Sequence, residues 1–265
     1  MRCARTDCCR IGAPLQCDLS RKTGFTECRL MFQIRRAVDR DQRSYGWHES
    51  RHSFPYDGAG RVPPPYGALL ELTEACIAPT RGFGMQPYRD VEILTIVLDG
   101  ALGYRDTLGN GAIVRAGGVQ RTRAGAGIMV SETNASHDRP LRLLRIRLAP
   151  QARGGAPDYA HRYFADEEKR GRLQPIASPD ARDGALRVDA DARIFAALID
   201  GDERVVHAVP AGRRVYAHVV RGDVEIDGHP LEAGDGVRIA GVDAVALTQG
   251  REAEVLLFDV AGHDA

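Results

Sequence analysis

An all-β fold of two tandem barrels is what this sequence predicts, and three observations predict it. From Met31 onward, turn-forming pairs recur at intervals of about 8 to 12 residues, as in sandwiches and barrels. Short runs rich in β-branched and aliphatic residues lie between them. The two halves also repeat one module. VLDGALGY at 97–104 is followed by AGGV at 116–119, and VVRGDVEI at 219–226 by AGDGV at 233–237. Strand, tight Gly turn, strand and Ala-Gly turn make one hairpin unit used twice.

The elements follow in chain order. Asp57-Gly58 marks a turn, and Pro63-Pro64-Pro65 a stiff extended loop. Val91–Leu98 (VEILTIVL) is the strongest strand, and Asp99-Gly100 and Asn110-Gly111 are turns. Leu141–Leu148 (LRLLRIRL) reads as a strand with one wet and one dry face, Arg142 being out of phase with Arg145 and Arg147. Ala149–Pro157 is the best candidate linker, and Asp166–Arg170 a helix-favouring charged patch. Asp191–Asp200 (DARIFAALID) fits a helix or a buried strand equally well. Val215–Val220, Val224–Ile226, Val237–Ile239 and Val255–Val260 are strands, separated by turns at Gly222-Asp223, Asp227-Gly228 and Asp235-Gly236. The expected division is an extension at 1–30, a first barrel at 31–150, a connection at 151–175 and a second barrel at 176–265.

Composition excludes several function classes. The 36 basic and 36 acidic residues cancel, so no basic excess exists for nucleic acid. An apolar fraction of 43% suits a globular chain. Runs such as Val255–Phe258 fall far short of the roughly 20 apolar residues of a membrane span. Only two of the basic residues are lysines, Lys22 and Lys169, which reads as the codon bias of a GC-rich genome. All cysteines except Cys76 lie at or before Cys28, in a stretch without apolar period or paired C-x-x-C spacing. That stretch reads as outside the fold, with Met31 as the expected natural start. Cys76 itself reads as a core thiol. Ser131 lacks a nucleophile elbow, and GNGAIVRAGG lacks phosphate-loop spacing.

Five segments in order carry a resemblance. GWHESRHSFPY at 46–56, GFGMQPYRDVEILTIVLDG at 82–100, AGAGIMVSETN at 124–134, SPDARDG at 178–184 and EVLLFD at 254–259 resemble the pirin family. The resemblance spans Met31 to about Val260. It implies a bicupin, two jelly-roll cupin barrels packed face to face, with one iron-like divalent metal in the N-terminal barrel. It also implies quercetinase-type dioxygenase chemistry in some bacterial members and a nuclear regulatory role in the animal one.

The family pattern holds the metal with three His and one Glu, and this chain departs from it. Gln86 and Tyr88 stand where the resemblance places a His-x-His pair, and Val130 stands where it places the third His. Glu132 alone keeps a family ligand type. Gln86 offers a weak neutral oxygen, Tyr88 would ligate only as a phenolate, and Val130 cannot ligate. None of the eight His forms a His-x-His pair. His48 and His52 fall in a stretch that is structural in the family, His137 on a loop, and His218 within a second-barrel strand.

By the family register Gln86, Tyr88, Val130 and Glu132 face into the barrel, rather than Met85 and Met129. Together with Glu92 they form the expected pocket, with Gln86 or the Tyr88 hydroxyl as the donor to Glu132. Glu92 has two readings. It pairs with Arg89 or Arg123, or it joins Tyr88 and Glu132 in an oxygen-rich site suited to magnesium or manganese. The expected function is that of a cytoplasmic, metal-free, non-catalytic bicupin that binds a small molecule or a protein partner, with neither nucleic acid nor membrane as partner. The rival is a quercetin 2,3-dioxygenase-like oxidoreductase with an altered metal site.

Overall fold

A strand whose two faces are both buried shows as an unbroken apolar run, and the strongest runs of this sequence fold that way. In Glu92–Asp99 the first six residues are buried on both faces, and Leu141–Leu148 is buried along nearly all its length. One face of each lines the first barrel and the other packs against the second. The computed structural model describes residues 31–54 and 65–262. The expected extension at 1–30, the Asp57-Gly58 turn and Pro63-Pro64 lie outside the described residues.

Two sheets wall the first barrel. The seven-stranded sheet runs Asp158–Tyr163, Gly118–Arg123, Glu92–Asp99, Leu141–Leu148, Leu69–Ile77, His48–Phe54 and Asp41–Ser44. The four-stranded sheet runs Gly82–Tyr88, Ile128–Asn134, Ala101–Asp106 and Gly111–Arg115. The chain passes from one sheet to the other at Gly100, whose φ of +84° suits glycine. A Cβ there would stand 2.7 Å from the Pro140 carbonyl oxygen.

The second barrel is a nine-stranded sheet folded on itself. Its axis is formed by two long antiparallel strands, Arg213–Ile226 and Ala244–Ala261. The expected turn at Gly222-Asp223 is instead a bend inside one continuous strand. Register shifts at 219–225 absorb extra residues, and Gly222 (φ +69°) sits against the Arg251 and Glu252 carbonyls with no room for a Cβ. Asp191–Asp200 resolves as the strand Ala192–Gly201. Asp166–Lys169 is the helical turn that its charges suggest.

The chain ignores the expected boundaries in two places. Met31–Arg35 pairs with Gly236–Ala240 and so belongs to the second barrel. Asp235 fixes this crossing, accepting from the Ala37 N–H at 2.8 Å and pairing with Arg36 at 2.6 Å. Asp158–Tyr163, inside the expected connection, pairs with Gly118–Arg123 as an edge strand of the first barrel.

Three apolar regions result. The largest lies between the barrels, where Leu94, Leu144 and Ile146 meet Ile176, Ile194 and Phe258. One continuous cluster fills the second barrel. The first barrel instead holds two smaller clusters, one around Val97 and Leu143, the other around Ile93 and Val130. Cys76 belongs to none of these. It is half-buried, on the face that carries Leu72 but at the far end of its strand, where it joins Glu74 and Arg142 along a surface groove. Phe258 is fully buried between the barrels. Phe258→Ala is expected to cost about 3–5 kcal/mol. Urea unfolding should show one shifted transition, because the lost contacts belong to both barrels.

Candidate functional site

The two clusters of the first barrel are separated by a belt of polar side chains. Alternation places them: Thr95 lies between Ile93 and Val97, and its register partners Gln120 and Arg145 share its face. Glu132 projects from Ile128–Asn134 into the same level and is 6% exposed. Its carboxylate accepts from Gln120 Nε2 at 2.7 Å and Thr95 Oγ1 at 3.1 Å, both on Oε1. Its Oε2 is held by Arg145 Nη2. The expected donors, Gln86 and Tyr88, do not reach it. Gln120 is steadied in turn by the Tyr159 hydroxyl at 3.4 Å.

A second pair lies beside the first. Arg147 Nε stands 3.1 Å from Glu71 Oε2, and Thr73 donates to Glu71 Oε1 at 2.8 Å. Because the Thr73 hydroxyl hydrogen is used on Glu71, His52 must donate to it from Nδ1, at 2.9 Å. His52 Nε2 then accepts from Ser50 at 3.0 Å. This fixes a neutral tautomer, and burial together with nearby arginine charge holds the His52 pKa below its ordinary value. His48 is lowered likewise, by burial first and then by Arg145. Burial opposes the charge of Arg145, but Glu132, Tyr88 and Glu71 outweigh it and raise its pKa. Deeper in the barrel Tyr104 donates to Asp106 at 2.9 Å and stacks on Tyr159, with ring centroids 4.1 Å apart.

The strand Gly82–Tyr88 borders this belt. Tyr88 pairs in register with Ile128 and Gln86 with Val130. A bulge then sets Gly84 and Met85 against Ser131 alone, so that Phe83 comes opposite Glu132. Gln86 is exposed, Tyr88 half-buried and Val130 buried. Phe83 packs at 5.7 Å from the Arg145 guanidinium carbon, and Tyr88 at 5.3 Å from that of Arg147.

Glu92 is not part of this pocket. It shares its face with Leu94 and Ile96, which pack into the core between the barrels. There it accepts from the Asp189 N–H at 3.2 Å and lies 3.6 Å from Arg123 Nε. The oxygen-rich site of Tyr88, Glu92 and Glu132 is therefore not assembled. His137 is exposed on its loop. His218 is buried between the barrels with its pKa pushed down to about 3 by burial and by Arg40.

The donor set does not fit a transition metal. Neutral imidazoles and free carboxylate lone pairs suit such an ion. At the expected ligand positions one carboxylate is present, three donors already bind it, and one donor is a cation; the neighbouring Glu71 is likewise engaged, by Arg147 and Thr73. Among the described residues no three His, Cys, Asp or Glu side chains come together in an arrangement that would hold a metal ion. Sequence reasoning missed Arg145, Gln120, Thr95, Arg147 and Glu71. The available signal was two arginines in phase, Arg145 and Arg147, on the face of Leu141–Leu148 opposite to Arg142.

Comparison with known proteins gives concordant matches. The pirin family model matches residues 32–147, and that of the quercetinase C-terminal cupin domain matches residues 175–260. A quercetin 2,3-dioxygenase of Escherichia coli (strain K12) is 37% identical over 233 residues, covering 87% of this chain and 99% of its own. A pirin-like protein of Caulobacter vibrioides is 34% identical over 221 residues, covering 82% of this chain and 94% of its own. The crystal structure of YhhW from Escherichia coli superposes with a TM-score of 0.83 at 36% identity, covering 89% of this chain and all of that one. A structure of bacterial pirin YhhW in complex with nickel(II) gives 0.82 at 37%, covering 88% of this chain and all of that one.

Glu92 gives the interface a pH dependence. Burial raises its pKa to about 7, against the ordinary 4.5. A raised carboxyl favours the protonated fold, so its stabilising effect is complete below about pH 4.5 and is lost as pH rises through about 7. Urea midpoints of the wild type should fall across that window relative to those of Glu92→Gln. Parallel profiles for the two proteins would contradict this assignment.

Proposed function

Because the chain belongs to the pirin family, we propose that it is a metal-free, non-catalytic member of that family acting through a bound small molecule or a protein partner. One observation carries this reading. At the four positions where the resemblance expects metal ligands, only Glu132 keeps the family's ligand type, and Arg145, Gln120 and Thr95 occupy its oxygens. Chemistry on dioxygen through a metal would need donors that these positions do not supply. The balanced charge argues against nucleic acid as the partner. A cytoplasmic location belongs to the same reading; no helix among the described residues is long and apolar enough to cross a membrane.

The second reading, a quercetin 2,3-dioxygenase-like oxidoreductase with an altered metal site, draws on the name of the Escherichia coli relative and on the nickel in the related structure. Metal content separates the two. The full chain, purified from medium supplemented with iron, nickel and zinc, is expected to carry less than about a tenth of an equivalent of any metal by mass spectrometry. Near one equivalent, lost on Glu132→Ala, would establish a rebuilt site and favour the dioxygenase. In the metal-free outcome, a thermal-shift screen against small molecules tests the ligand half of the reading, since a ligand of the folded state raises the melting temperature.

A further inference from the structure

We propose that Arg145 is the resident cation of the first barrel, taking over from a metal the neutralisation of Glu132 and excluding a divalent ion from the same place. The inference rests on the metal-free reading and adds to it a named agent. Arg145 lies in register with Thr95 and Thr73, faces the interior, is 16% exposed and binds Glu132. Its Nε is buried without a hydrogen-bond partner. Such a guanidinium is held in place chiefly by the carboxylate.

The replacement extends beyond one pair. Arg145 and Arg147 each lean on an aromatic ring of Gly82–Tyr88, the strand that the resemblance expects to carry two imidazoles. Tyr88, which stands at one of those two positions, supplies the ring for Arg147. Arg147 is neutralised by Glu71 as Arg145 is by Glu132. Two cation–carboxylate pairs with aromatic contacts thus occupy the region. A divalent ion brought to Glu132 would face the fixed positive charge of Arg145 and would have to displace it.

The consequence is that restoring the imidazoles alone should not restore a metal site. Nickel binding is compared by calorimetry for Q86H/Y88H/V130H and for the same protein carrying R145Q in addition. The four-substitution protein is expected to bind about one equivalent at least about tenfold more tightly than the three-substitution protein. Equal affinity in the two proteins, or no binding by the four-substitution protein, would overturn the proposal. Should the multiple variants not fold, R145Q, E132Q and the double variant give a test that involves no metal. Each single variant leaves a buried partner uncompensated, so the double should lower the melting temperature by less than the sum of the singles. An additive loss would also overturn the proposal. Metal content of the wild type tests the metal-free reading separately, so the two failures can be told apart.

Discussion

A carboxylate removed from water must be met by donors or by positive charge, and the interior of the first barrel is laid out around that requirement at Glu132. Thr95, Gln120 and Arg145 come from three neighbouring strands and reach the acid from one wall of the barrel. Satisfying it spreads polarity across the whole section. Tyr159 supports Gln120, while Glu71 and Thr73 lie at the level of Arg147 and Arg145. The apolar filling is consequently divided in two. The second barrel has no such belt and closes over a single cluster. Its buried acids lie at its edges instead: Asp259 toward the end of its strand, where Arg213 and His207 satisfy it, and Asp235 in a turn, held by Arg36 and the Ala37 N–H.

The face between the barrels follows the opposite rule. Its apolar lining brings Phe54, Tyr216 and Phe258 into ring contact, and Arg238 lies over the Phe54 and Tyr66 rings. Charged groups enter at its margin, where Glu92 holds the Asp189 amide and Arg123. The same strand thus serves two environments. Thr95 joins the polar interior, while Leu94 and Ile96 join the dry contact.

Much of this was legible in the sequence. Turn spacing and apolar runs indicated barrels, the repeated module indicated two of them, and five ordered segments indicated the family. The misreadings share a cause: periodicity tells which residues share a face but not what that face meets. Arg145 and Arg147 share a polar face, yet that face is the barrel interior. Glu92 lies in the segment of the expected ligands, yet alternation turns it to the other barrel. Gly222 reads as a turn because local chemistry cannot distinguish a hairpin from a bend within a continuing strand. Asp191–Asp200 was ambiguous because burial on both faces erases either period. The phase of Arg145 hinted at a buried charge, but its pairing with Glu132, and the donors Gln120 and Thr95, could not be found, since only strand pairing brings them together.

The crossing of Met31–Arg35 into the second barrel has a bearing on biosynthesis. Its pairing partner, Gly236–Ala240, leaves the ribosome some two hundred residues later. Throughout that interval the emerging polypeptide carries a strand whose backbone groups have no native mate, even after the first barrel has folded. The first strand of the described fold is therefore among the last to dock. Until then the nascent chain presents an open edge of the kind that chaperones shield and that other chains can capture.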